Sequence, residues 1–272
     1  MDPLLIVALV VLGVFSGFLA GLLGIGGGMV MVPFLVMILD ARGFDPGVVI
    51  KVAIATSLAT IVFTSISSVR AHHKRGAVRW DIVGRFAPGL VLGTIVGAQM
   101  VGALPARLIA AFFAAFIGWT AWGMLRPKKA PAPGVAQRTL PGTPGLVTAG
   151  GVIGLLSAFL GAGGGFLTIP FLAGCNVRIQ NAIATSAACG FPIALSATVG
   201  YVIAGWNLDL PDHTVGYVFL PALALIAPAS MALAPLGARA AHALSVQKMR
   251  MVFAFVLVAL ALYMLARAVG VA

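Results

Sequence analysis

Two glycine clusters interrupt otherwise apolar sequence: Gly24-Ile25-Gly26-Gly27-Gly28 and Gly161-Ala162-Gly163-Gly164-Gly165. Each opens a short apolar run, 28–39 and 164–174, with Pro33 or Pro170 five residues beyond the last glycine. Runs this short do not cross a bilayer alone. Glycine permits a sharp chain reversal and close backbone approach. A helix broken there frees backbone N–H groups and points the positive end of its dipole at the break. Anions bind at such ends without a cationic side chain. Each proline strips the carbonyl four residues earlier of its usual donor. Thr56-Ser57 and Thr185-Ser186 place hydroxyls near the start of the next run. The candidate binding set is therefore Gly26, Gly27, Gly28, Thr56, Ser57, Gly163, Gly164, Gly165, Thr185 and Ser186, with Asn181 added from inside an apolar run. Amides and hydroxyls of this kind suit a compact oxyanion. The competing roles are structural: glycine for close helix packing, Ser and Thr bonding back to their own helix. Asn181 and Gln99 need buried partners in either case.

Other chemistries lack their residues. No Asp or Glu lies in the middle of an apolar run, because Asp2, Asp40, Asp45, Asp81, Asp209 and Asp212 all fall at run ends and glutamate is absent. A carboxylate proton relay is therefore not expected. Gly24 to Met31 lacks the Gly-Lys-Ser/Thr ending of a phosphate-binding loop. Cys175 and Cys189 sit in apolar sequence and read as buried reduced thiols. His72-His73 adjoin Lys74-Arg75 and read as solvated. No nucleophile–base pair or metal cluster emerges, so neither an enzyme nor a cofactor or metal site is expected. Lys51 and Arg178 precede the Thr-Ser motifs. They could draw anions to the entrances, although the plainer reading is interface cations snorkelling to water.

The elements that must position these residues follow from composition. The 272 residues are 61% hydrophobic and 8% charged, against roughly a quarter charged in a soluble domain. Lipid as the outer solvent accounts for the deficit. Ten apolar runs cover 4–23, 28–39, 48–69, 83–102, 107–125, 145–160, 164–174, 179–204, 215–238 and 249–267. The first lacks a positive leader and reads as a retained membrane segment. A net charge of +11 is carried by short loops between runs, a pattern that needs no nucleic acid. Trp119, Trp122 and Trp206 read as interface anchors.

The chain repeats itself. Gly24 to Leu35 matches Gly161 to Leu172 without a gap, and Ala53-Ile54-Ala55-Thr56-Ser57 matches Ala182-Ile183-Ala184-Thr185-Ser186. Weaker echoes pair Gly76 and Trp80 with Gly205-Trp206, Pro88 with Pro221, and Gly97-Ala98 with Gly237-Ala238. Two copies are expected, 1–125 and 145–272, around a Pro-rich basic cytoplasmic linker at 126–144. Lys and Arg cluster in 70–85, in the linker and in 239–250, whereas 205–214 holds only Asp209 and Asp212. Placing the basic loops inside makes the copies antiparallel. The expected fold is an all-α polytopic membrane protein of two inverted-topology repeats. Each is a glycine-broken hairpin plus three transmembrane helices. Inverted repeats with broken helices hold substrate near the midplane.

With the glycine clusters and Pro33, the Ala-Thr-Ser motif at 55–57, the basic loop from Lys74-Arg75-Gly76 to Trp80 and their second-half partners, nearly the whole chain resembles the sulfite exporter TauE/SafE family. The resemblance implies a multi-pass permease of the cell inner (plasma) membrane. It would export sulfite, sulfoacetate or a related organosulfur anion, with the lipid bilayer as its other partner. An anion channel of the same architecture is the alternative.

Overall fold

The computed structural model describes residues 3–23, 27–125, 139–243 and 246–270, with side chains described except at 21–23, 237–243, 246–250 and 252. Among these residues, ten helices form the bundle: α1 Pro3–Leu23, α2 Gly28–Asp40, α3 Val49–Lys74, α4 Trp80–Ala103, α5 Ala106–Leu125, α6 Thr143–Leu160, α7 Gly165–Gly174, α8 Ile179–Gly205, α9 Leu220–Ala243 and α10 Val246–Val269. Six of them (α1, α3, α4, α5, α6 and α8) are long and apolar enough to cross a membrane. Large apolar side chains such as Leu4, Leu92, Leu108, Ile203 and Phe255 face outward, as lipid requires. The protein is an all-α multi-pass membrane protein.

Every apolar run becomes a helix, with one correction. Residues 215–219 do not begin α9. They close a two-stranded antiparallel hairpin, β1 Thr214–Val215 and β2 Val218–Phe219, in which Thr214 opposes Phe219. Gly216 turns it at φ 53°, beyond the helical range, and α9 starts only at Leu220. The expected linker 126–144 lies largely outside the described residues, but its last two residues already belong to α6.

Helix packing is reciprocal between the two halves. The hairpin-opening helix α1 packs on α9, and its equivalent α6 packs on α4. Elsewhere α3 packs on α8 and α5 on α10. Both mixed pairs are joined through small residues: Gly13 and Gly17 lie against Ile226 and Ser230, while Gly89, Gly93 and Gly97 lie against Val147, Gly151 and Leu155. Without a hydrophobic drive between helices in lipid, such close backbone contact is what binds them.

A constant offset also runs between the later helices of the two halves. Gly76, before α4, and Gly216, before α9, both have positive φ and stand 140 positions apart. Pro88 and Pro228 are also 140 apart, and both lie inside their helices, as are Gly97 and Gly237. At this offset Pro88 lines up with Pro228 and Gly76 with Gly216, beside the sequence echoes at Pro221 and Gly205. The longer connection after α8, with its strand hairpin, had hidden this register.

Candidate functional site

Both breaks have the same local geometry. Gly27 (φ 65°, ψ −13°) caps α2 and Gly164 (φ 75°, ψ −4°) caps α7, each in the left-handed region. Val30 and Met31 N–H return to the Gly27 carbonyl at 3.2 and 3.1 Å; Leu167 and Thr168 N–H return to the Gly164 carbonyl at 3.0 and 2.9 Å. The N–H groups of Gly165 and Phe166, one turn earlier, have no acceptor within their helix. Gly24, Ile25 and the candidate Gly26 lie outside the described residues.

The two breaks meet. Gly28 packs so tightly on the second cluster that a side chain there would fall on the Gly161 carbonyl oxygen and lie 2.9 Å from the α-carbon of Ala162. Ser57 Oγ donates to that same Gly161 carbonyl at 2.9 Å. Gly163 faces Ile61 of α3 and Gly190 of α8. Gly27, Gly28 and residues 161–165 are all buried.

The remaining candidates are placed as follows. Thr56 Oγ1 accepts the N–H of Phe219 at 3.0 Å, immediately before α9. Thr185 Oγ1 accepts the N–H of Arg79 at 3.1 Å, immediately before α4. Each threonine thus satisfies a free donor at the start of the other half's fourth helix. Asn181 Nδ2 donates to the Ala77 carbonyl at 2.9 Å, and Gln99 Nε2 to the Gly200 carbonyl at 2.9 Å. Removing either threonine hydroxyl orphans a backbone N–H at a helix start, which costs about 1–3 kcal/mol. Thr56→Val and Thr185→Val should therefore lower thermal stability by similar amounts, and Thr→Ser at either position should lower it less. Heat denaturation in detergent measures this, and a marked asymmetry between the two valine variants would contradict the reciprocal arrangement.

Two buried hydroxyls have no hydrogen-bond partner among the described residues: Ser186 Oγ on α8 and Thr168 Oγ1 on α7. Ser186 stands in the second Thr-Ser motif where Ser57 stands in the first. Thr168 has no such counterpart, because copy one carries Met31 in its place. It is fully buried, and helical side chains lean toward the preceding turn, which here is the first turn of α7. Thr168 lies outside both glycine clusters and both Thr-Ser motifs. Its signal was a lone polar residue in a run that is apolar in the other copy.

The cations also differ from expectation. Lys51 does not snorkel: it is 8% exposed and its Nζ donates to the Gly102 carbonyl at 2.7 Å. Asp40, at the end of α2, pairs with Arg267 of α10 and accepts the Tyr263 hydroxyl at 3.3 Å. Arg79 and Asp81 form an exposed pair at 2.7 Å, which adds little stability. Trp80 Nε1 donates to His73 Nδ1 at 3.1 Å. Cys175 and Cys189 are buried free thiols, and no group of metal-ligating side chains occurs among the described residues.

Broken helices facing one another inside a multi-pass bundle define a membrane transporter. The chain belongs to the sulfite exporter TauE/SafE family, whose model matches residues 9–264. It is similar to a probable membrane transporter protein of Haemophilus influenzae, 36% identical over 93% of this chain and 95% of that one. A probable membrane transporter protein of Methanocaldococcus jannaschii is 27% identical over 96% of each chain. A third, from Bacillus subtilis, is 30% identical over 73% of this chain and 79% of its own. No solved structure matches. The family is one of transporters rather than enzymes, so the partners are a small substrate and the surrounding lipid.

Proposed function

We propose that the protein exports a small sulfur oxyanion or organosulfonate, such as sulfite or sulfoacetate, bound near the midplane where the two glycine breaks meet. In this reading residues 1–125 and 145–272 are inverted copies joined by a cytoplasmic linker at 126–144. Two things support the inversion: the basic loops fall on one side when counted, and the packing pairs each hairpin with the fourth helix of the other half. The candidate glycines, Thr56, Ser57, Thr185, Ser186 and Asn181 then frame the site. Ser57 ties one break directly through the Gly161 carbonyl, whereas Thr56, Thr185 and Asn181 hold the segments that lead into α9 and α4.

The observation that carries the reading is Thr168: a fully buried hydroxyl without a partner among the described residues, on the first turns of a helix whose leading N–H groups have no backbone acceptor among them either. Buried donors left open are the groups an oxyanion would satisfy. No carboxylate relay is needed to drive export. An inside-negative potential favours anion exit by about 2.3 kcal/mol per charge per 100 mV.

The test is flux from reconstituted vesicles preloaded with sulfite, sulfoacetate, thiosulfate, sulfate or chloride. Saturable, voltage-sensitive movement of the sulfur anions is expected, and an ohmic current would indicate a channel instead. Thr168→Val separates binding from structure. The isosteric change removes an unpaired buried hydroxyl, so the melting temperature should hold or rise. The half-saturating concentration should meanwhile rise about ten-fold, the order of one charge-assisted hydrogen bond. Unchanged transport by this variant would remove Thr168 from the site.

A further inference from the structure

A lysine near the end of a membrane helix ordinarily runs along apolar surface and keeps its ammonium in water. Lys51, in the first turn of α3, turns inward instead. Its Nζ donates to Gly102, in the last turn of α4, and lies 5.7 Å from the centre of the Tyr217 ring. No carboxylate pairs with it among the described residues. The α4 C-terminus supplies roughly half a negative charge, and a ring face adds a weaker attraction. Neither cancels a full positive charge, and only one of its three donors is engaged by a described residue. An ionisable group held inside a membrane protein without compensation is costly, and such groups mark ion paths.

The surroundings of Lys51 lead to the breaks. Tyr217 packs edge-on against Tyr201, with ring centres 6.3 Å apart. The Tyr201 hydroxyl donates to the Ala158 carbonyl at 2.9 Å, three residues before Gly161. Ile54, one turn along α3 from Lys51, presents its α-carbon to Gly161. Two residues past Tyr217, the N–H of Phe219 is held by Thr56. The lysine therefore sits where the start of α3, the end of α4 and the turn before α9 converge, beside the breaks and toward the face opposite the basic loops.

We propose that Lys51 is a second anion site, which holds a compact oxyanion between its departure from the glycine breaks and its release. The inference rests on the anion-export reading and adds a position to it. The oxyanion replaces the Gly102 carbonyl as acceptor of the Lys51 ammonium. Loss of that one contact frees the end of α4 from α3, which couples arrival of the anion to opening of this corner.

Binding and flux are read separately, with sulfite as probe and chloride as control. In detergent, sulfite should raise the melting temperature of the wild type saturably. Lys51→Met should weaken the midpoint of that titration about ten-fold, and Lys51→Arg should retain most of it. The unliganded Lys51→Met protein should melt no lower than wild type, since a buried unpaired charge has been removed. In vesicles, Lys51→Met should raise the half-saturating concentration for sulfite on the outer face and leave the inner face within about two-fold. Identical sulfite titrations for wild type and Lys51→Met, or no sulfite response in either, would overturn the second site. A Lys51-dependent sulfite response without any flux would keep the site and reject export.

Discussion

Gly28→Leu should abolish transport and destabilise the protein by at least about 3 kcal/mol, because it inserts a side chain where two backbones touch. The colliding atoms are the Gly161 carbonyl oxygen and the α-carbon of Ala162, neither of which can rotate away. Ser57 already uses the same carbonyl, so displacing Gly161 breaks that hydrogen bond as well. The effect is therefore on the contact between copies and not on α2 alone. Gly84→Ala is the matched control. Gly84 is also a helical glycine, with open space around it, and gains about 1 kcal/mol of helix propensity from the change. Heat denaturation and vesicle flux on both variants decide the matter. A Gly28→Leu protein with wild-type flux would show that the breaks do not need to meet.

Much of this arrangement was legible in the sequence, and the reason is physical. A membrane leaves backbone groups no partner but their own helix, so apolar run length translates almost directly into helix length. The glycine clusters were legible because a break in such a run has few other causes, and their repetition exposed the duplication. The register of the second halves was not legible. The hairpin at Thr214–Phe219 adds residues between α8 and α9 that composition does not distinguish from helix, so the sequence pairs Pro88 with Pro221 while Pro228 stands at the 140-residue offset. Side-chain direction was equally hidden. Thr56 and Thr185 look like free hydroxyls in sequence, yet each is committed to a backbone N–H more than a hundred residues away. Lys51 reads as a surface cation because nothing local reveals that the end of α4 lies over it.

The reciprocal pairs also say which parts move together. Each hairpin-opening helix is bound along its length to the fourth helix of the other half, α1 to α9 and α6 to α4. Each of those fourth helices is in turn held at its start by a threonine of the opposite half's third helix. A hairpin cannot shift without taking its bound helix along, so opening of the breaks is a rigid-body event of such pairs against the α3–α8 centre. In that scheme the contacts at Gly28, Ser57 and Lys51 and the two threonine bonds to the starts of α9 and α4 are the ones exchanged, and the α1–α9 and α4–α6 pairs are the ones kept.

That division predicts a graded response at Gly93. Its side-chain position falls on the Gly151 carbonyl oxygen, 2.9 Å from the Gly151 α-carbon, and Gly150 and Gly154 press on the Phe86 and Leu90 carbonyls in return, somewhat less closely. Backbone contact on this scale lets dispersion and weak C–H···O bonds act along the whole pair. Gly93→Ala should therefore cost about 1–3 kcal/mol despite alanine's better helix propensity, and Gly93→Leu more than about 3 kcal/mol. Gly17→Ala should match Gly93→Ala, since Gly17 meets the Ser230 carbonyl in the partner pair. Thermal unfolding in detergent gives the ranking. The decisive comparison is with function: the alanine variants that remain folded should keep the wild-type half-saturating concentration, because the pairs they perturb travel as units and do not touch the anion. A Gly93→Ala protein of wild-type stability with altered substrate affinity would reverse the assignment, making α4–α6 the moving contact and the breaks the fixed one.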